Sequence, residues 1–117
     1  MARIQKIQYK GKEILYVNYS GLREKEMIQL LNKVEGIILA DNRPHLQLVN
    51  ITDSFATSGY MAAVKEFGAN TQHLTHKAAI IGISGVKGLL LKSYNFVSGS
   101  KLIAFSTEKE AKEYLVQ

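Results

Sequence analysis

The chain predicts a mixed α/β domain with the element order ββαβαβαβα, about five strands in one sheet with about four helices. Three observations predict it. Two β-rich runs near the N-terminus are separated by Lys10-Gly11-Lys12, a hairpin signal. Beyond them, apolar runs of strand length alternate with segments whose apolar residues recur every three or four positions, the pattern of parallel strands joined by helices. The length of 117 residues, with 46% hydrophobic and 21% charged side chains, suits one domain with its own core, so residues 1–117 are read as a single unit.

The hairpin comprises Arg3–Tyr9 and Glu13–Tyr19; Ile14 and Tyr16 fall on one face of the second run, and Leu15, Val17 and Tyr19 on the other. Ser20-Gly21 breaks it. From Leu22 to about Asp41, Met27, Leu30, Leu31, Val34, Ile37 and Ile38 share one helical face, and Glu24 and Glu26 sit in the first turn, where the helix dipole favours anions. Asn42-Arg43-Pro44 ends this helix, because Pro disfavours helical backbone at the preceding residue. Leu46, Leu48, Val49 and Ile51 form an internal strand ending at Asp53-Ser54. Thr57 or Ser58 caps a second helix that turns Tyr60, Met61, Val64 and Phe67 inward and frays near Asn70–His73. Ala78–Ile83 is the next strand, Val86 to about Phe96 a third helix stopped by Gly99, and Leu102–Phe105 a fifth strand. Thr107-Glu108-Lys109-Glu110 matches a capping box, and Ala111, Tyr114 and Leu115 seat the last helix.

Composition narrows function by exclusion. Without cysteine there is no thiolate nucleophile, thiolate metal site or disulfide. The N-terminus lacks the apolar core of a signal peptide, and no apolar run approaches the roughly 20 residues of a membrane span, so a cytoplasmic protein is expected. The net charge of +5 is spread along the chain rather than gathered in a tail, and nucleic acid is not the expected partner. His73 and His76 stand three apart without a third ligand at metal-binding spacing, and read as surface histidines, with His45 a loop residue beside Pro44. Asp41 and Asp53 do not read as a catalytic pair. Gly82-Ile83-Ser84-Gly85 misses the nucleophile-elbow pattern because residue 86 is Val, and Gly85-Val86-Lys87-Gly88 follows a strand rather than joining two helices. Neither enzyme chemistry nor a cofactor is expected.

The segment Leu46–Phe67 is the candidate site: strand, polar loop, then a helix entered through Thr57-Ser58-Gly59. In parallel sheets, binding loops gather at the carboxyl ends of the strands. Two loops qualify there: Asp53, Ser54, Phe55, Ala56 and Gly59 around the Thr57/Ser58 entrance, and a second one with Ser84, Gly85 and Lys87. A hydroxyl at a helix N-terminus caps unpaired amides, and a phosphate there meets the same amides and the dipole.

This order, with strand, polar loop and helix at its centre, resembles the STAS domains, especially the small stand-alone SpoIIAA-like (STAS/SEC14-like) branch. In the bacterial regulators of that superfamily, the anti-sigma-factor antagonists, an Asp-Ser-Ser/Thr-Gly segment opens this helix, and the first hydroxyl after the Asp accepts a phosphate from a partner kinase. Registered on Gly59, Thr57 takes the phosphoacceptor position, Ser58 follows it, and Ala56 stands where the family has Asp. The resemblance implies a non-catalytic regulatory module with a protein partner. A structural reading stands beside it, in which Thr57 or Ser58 is only a cap.

The third predicted helix carries Leu89, Leu90 and Leu91 in succession, then Tyr94, Phe96 and Val97, too many apolar residues for one face. Two readings stand: Leu91, Tyr94 and Phe96 form an apolar interface for a homodimer, a partner or a lipid chain, or the helix is short, buried and apolar all round. The alternative function is a carrier or sensor of a small apolar ligand or lipid, held in a groove or at a dimer interface.

Overall fold

Lys10 and Gly11 both adopt left-handed backbone angles, φ +50° and +81°, so a two-residue turn of the twist that suits a hairpin joins the first two strands. The computed structural model describes residues 3–55, 57–83 and 102–117. β1 (Ile4–Tyr9) and β2 (Lys12–Asn18) pair antiparallel, with Ile7 opposite Ile14. β3 (His45–Asn50), β4 (Thr75–Ile81) and β5 (Leu102–Phe105) extend the sheet in parallel, in the order β1-β2-β3-β4-β5. This is the expected mixed sheet. The described residues contain three α-helices: α1 (Glu24–Asp41), α2 (Ser58–Thr71) and α3 (Glu108–Val116). The helix expected from Val86 to Phe96, with Leu91, Tyr94 and Phe96, lies outside the described residues, as does the Ser84-Gly85-Lys87 loop.

Element boundaries moved where polar residues carry the backbone. α2 passes into a 3-10 turn at Gln72–Leu74, and β4 follows at once, three residues before its apolar run. Thr75 donates its hydroxyl to the Thr71 carbonyl (3.1 Å), fixing this junction. His45, expected in a loop, is instead the first residue of β3. Its Nδ1 lies 2.7 Å from the Leu74 carbonyl, which only accepts, so Nδ1 carries the hydrogen and ties β3 to the start of β4. α1 begins at Glu24 rather than Leu22, after Gly21 at φ +72°, and stops at Asn42, whose left-handed backbone returns its N–H to Ile38 (3.1 Å).

Alternation along each strand divides the core into two layers. On one face, Leu15, Val17, Val49, Ile51 and Ile80 meet Met27, Leu30, Leu31, Val34 and Ile38 of α1 and Tyr60 and Phe67 of α2. On the other face, Ile14, Leu46, Leu48, Ala79 and Ile81 meet Ala111 and Leu115 of α3. Strict alternation is hard to see in β1 because its apolar residues divide: Ile4 serves the first layer, Ile7 and Tyr9 the second. Tyr19 is buried edge-on to Tyr60, centroids 5.9 Å apart, and burial pushes its phenol well above the usual range, with the neighbouring Tyr60 phenol adding to the effect.

α3 is capped at both ends. Thr107 accepts the Glu110 amide (3.2 Å), the N-cap half of the expected capping box, while the Glu110 carboxylate turns back to accept the Thr107 hydroxyl (3.1 Å). At the other end, Lys77 of β4 donates to the Tyr114 and Gln117 carbonyls (3.3 and 3.1 Å) and lies over the Tyr114 ring. A polar clasp joins this helix to the hairpin: Tyr9 donates to Glu113 (2.6 Å), and Lys10 pairs with the same carboxylate (2.7 Å). Lys10 and then Tyr9 hold Glu113 below the usual carboxylate range, and Glu113 raises both of them. The depressed carboxylate contributes stability above its ordinary value of 4.5, and that contribution is lost as pH falls through the lowered value. The raised partners contribute below about pH 10 and lose that contribution as pH climbs through their raised values. Glu113→Gln is therefore expected to lower the melting temperature at pH 7, and the gap to the wild type is expected to narrow steadily as pH falls below 4.5. A gap that does not change with pH in that range would show that the carboxylate's charge is not what holds the clasp.

Candidate functional site

β2 and β3 run parallel and deliver their chains at the same edge, so the helices that follow them start side by side on the same face. That topology, not sequence proximity, builds the site. Pairing continues past the strand ends: Tyr19 donates its amide to Asn50 (2.8 Å), Gly21 to Thr52 (3.1 Å), and Ile51 to Ile81 (3.0 Å). The loop after β3 is thus gripped from both sides. Asn50 Oδ1 accepts both the amide and the hydroxyl of Thr52 (3.0 and 2.7 Å), while its Nδ2 donates to Tyr16 (3.2 Å). Asp53 then turns the chain with φ +57°, a value that Asp tolerates better than most residues.

The loop residues divide by exposure. Ser54 is 2% exposed and donates its hydroxyl to the Ile51 carbonyl (2.7 Å), so it staples the loop to the sheet. Phe55 is 75% exposed, an aromatic ring left in solvent at the edge. Ala56 is outside the described residues. Thr57 has extended backbone (φ −71°, ψ 163°) and is the N-cap of α2, its hydroxyl oxygen accepting the Tyr60 amide (3.2 Å). Ser58 is the first helical residue and is exposed, as is Gly59. Of the two expected caps, then, the geometry selects Thr57. Thr57→Ala should cost about 1 kcal/mol and Ser58→Ala less than about 0.5 kcal/mol, measured by urea unfolding; equal losses would reassign the cap.

The sequence reading missed one participant. The Thr57 hydroxyl donates to the carboxylate of Glu24, the first residue of α1. The same carboxylate lies over Gly59, where an added Cβ would run into it. Glu24 thus places a negative charge at the α2 entrance, where the dipole favours it. The available signal was topological: first turns that follow adjacent parallel strands are neighbours.

No family model matches the sequence, and no curated protein matches it. Among solved structures, the fold is similar to an anti-sigma-factor antagonist (STAS) domain protein from Planctomyces limnophilus, with a TM-score of 0.67 over 99% of this chain and 100% of that one, at 15% identity. The chain has a STAS-like fold. Within that fold, residue 56 is Ala, and the carboxylate beside the Thr57 hydroxyl comes from α1 instead of the loop.

Elsewhere the STAS-like fold offers open clefts with charged walls. One of about 300 Å³ lies at the opposite edge of the sheet, lined by Lys6, Glu13, Asp41, Arg43, His45 and His76 among others. Its acids are bridged to its bases, Asp41 to Lys6 (2.7 Å) and Glu13 to Arg43 (3.2 Å); Lys6 holds Asp41 below the usual carboxylate range. A groove along α1 is lined by Leu22 and Leu30 together with Arg3, Glu26, Gln29 and Lys33. Among the described residues no group of three or more acidic or histidine side chains is arranged to hold a metal ion, and no helix is long and apolar enough to cross a membrane.

Proposed function

We propose that this domain is a non-catalytic, protein-binding regulatory module and that Thr57 is its switch, a phosphoacceptor for a partner kinase. The carrying observation is the position of the Thr57 hydroxyl: at the entrance of α2 in a STAS-like fold, between the exposed Phe55 and the exposed Ser58. In the modification, the Thr57 oxygen forms a bond to the terminal phosphorus of a nucleoside triphosphate as the bond to the departing diphosphate breaks, and the hydroxyl proton passes to a base. The product carries close to two negative charges where the chain had a neutral hydroxyl. Phe55 supplies an apolar anchor next to that charge, so a partner docked over the loop gains or loses affinity when the charge appears.

The test is phosphosite mapping by mass spectrometry on protein purified from its own host, followed by partner capture with wild type and with Thr57→Ala/Ser58→Ala. Phosphate on Thr57, with partner capture changed in the double variant, is the expected result. A loop that is unmodified in every growth condition, with unchanged capture, would overturn the proposal.

A further inference from the structure

We infer that Glu24 is the internal sensor of charge at Thr57, and that it links the helix entrance to the start of α1. The inference rests on the phosphoacceptor reading of Thr57 for its biological use, but its geometry stands by itself. Thr57 and Glu24 are 33 residues apart, yet the hydroxyl of one donates to the carboxylate of the other. Gly59 closes over the same carboxylate, with no side chain to hold it off. A neutral hydroxyl keeps Glu24 there by a charge-assisted hydrogen bond. An anion on residue 57 reverses the sign of that contact: the donor is gone, and two negative charges compete for one helix N-terminus.

Glu24 is the residue that yields. It is exposed and is the first residue of α1, whose N-cap Arg23 makes no side-chain cap bond, so its side chain is free to turn back over its own helix N-terminus. The dipole of α1 favours a carboxylate there. Charge at Thr57 is thus converted into a rearrangement of the Arg23–Glu26 turn, and a partner spanning both helix entrances reads two changes at once.

The test needs no kinase. Thr57→Glu and Thr57→Gln are compared by thermal melting in the wild-type background and in Glu24→Gln. The charge-specific loss, Glu relative to Gln at position 57, is expected to be about 3 °C with Glu24 present and to fall to about zero in Glu24→Gln. High salt should shrink it, because both groups are near solvent. A purely structural role for Glu24 would give the same loss in both backgrounds, and that result overturns the inference. If Thr57→Glu does not fold, Thr57→Ala combined with Glu24→Gln replaces it: sub-additive losses are expected, and additive ones overturn the inference. Failure of either cycle would discard the sensor and leave the phosphoacceptor to its own mapping test. An unmodified Thr57 with an intact cycle would remove the kinase and keep the coupling.

Discussion

Gly82→Ala should lower stability by about 3 kcal/mol or more. Two terms add. Gly82 has φ +90°, a conformation that any residue with a Cβ adopts under strain. The added Cβ would also stand 2.5 Å from the Thr52 amide nitrogen and 2.8 Å from its Cα. Those are backbone atoms, held in place by Asn50 on one side and Gly21 on the other, so they cannot swing aside as a flexible side chain would. Gly36 supplies the control: it is an exposed position inside α1 with open space around it, and Gly36→Ala should stabilise by about 0.5–1 kcal/mol. Urea unfolding of both variants checks this, with the midpoint shifting in opposite directions. A Gly82→Ala loss below about 1 kcal/mol would mean that the loop after β3 does not rest against the end of β4. The functional consequence follows from position, since Thr52 opens the loop that delivers Phe55 and Thr57.

The architecture was legible because periodicity reports directly on burial. The α1 face of Met27, Leu30, Leu31, Val34 and Ile38, the β5 segment Leu102–Phe105 and the Thr107 N-cap were each read from local pattern, and each is present; Ile37, read onto the same α1 face, is only half-buried and joins neither core layer. Boundaries were less legible where the deciding interactions come from elsewhere in the chain. His45 beside a proline looks like a loop until the Leu74 carbonyl, 29 residues away, claims its ring. Thr75–Lys77 are polar and look like a linker, yet Thr75 and Lys77 pair with His45 and Leu46 at the start of β3, across a shift of register that leaves His76 out of the ladder. The site was legible only in part for the same reason. The Thr57 cap is local and visible; the Glu24 carboxylate reaches it across 33 residues, and nothing in the local pattern around Glu24 separates it from any acid in a first helical turn. Ser54 is the converse case, a loop hydroxyl that looks available and is sealed against Ile51.

Leu115→Ala should cost about 2–5 kcal/mol, and the form of the loss matters as much as its size. Leu115 is 1% exposed among Ile14, Leu46, Leu48, Ala79, Ile81 and Ala111, on a face that α3 covers. At nine residues, α3 is too short to persist alone in water and depends on this docking. Ala79 and Ala111, both fully buried, let the helix backbone approach the sheet closely, so Ala111→Leu should also destabilise, by about 1–3 kcal/mol, through overpacking. The polar clasp of Tyr9, Lys10 and Glu113 lies at the half-buried rim of this layer and does not replace the lost apolar contact. If Leu115→Ala only leaves a cavity, the urea midpoint falls with an unchanged slope; if α3 undocks, the slope falls too, because less surface remains to be exposed on unfolding. Undocking is expected, with amide exchange in Glu108–Val116 accelerated well beyond that in α1. Because α3 packs on the face opposite α1 and α2, the loss should add to that of Thr57→Ala within about 0.5 kcal/mol. Strong non-additivity would mean that the two faces communicate through the sheet, and that the entrance at Thr57 is tuned by the helix behind it.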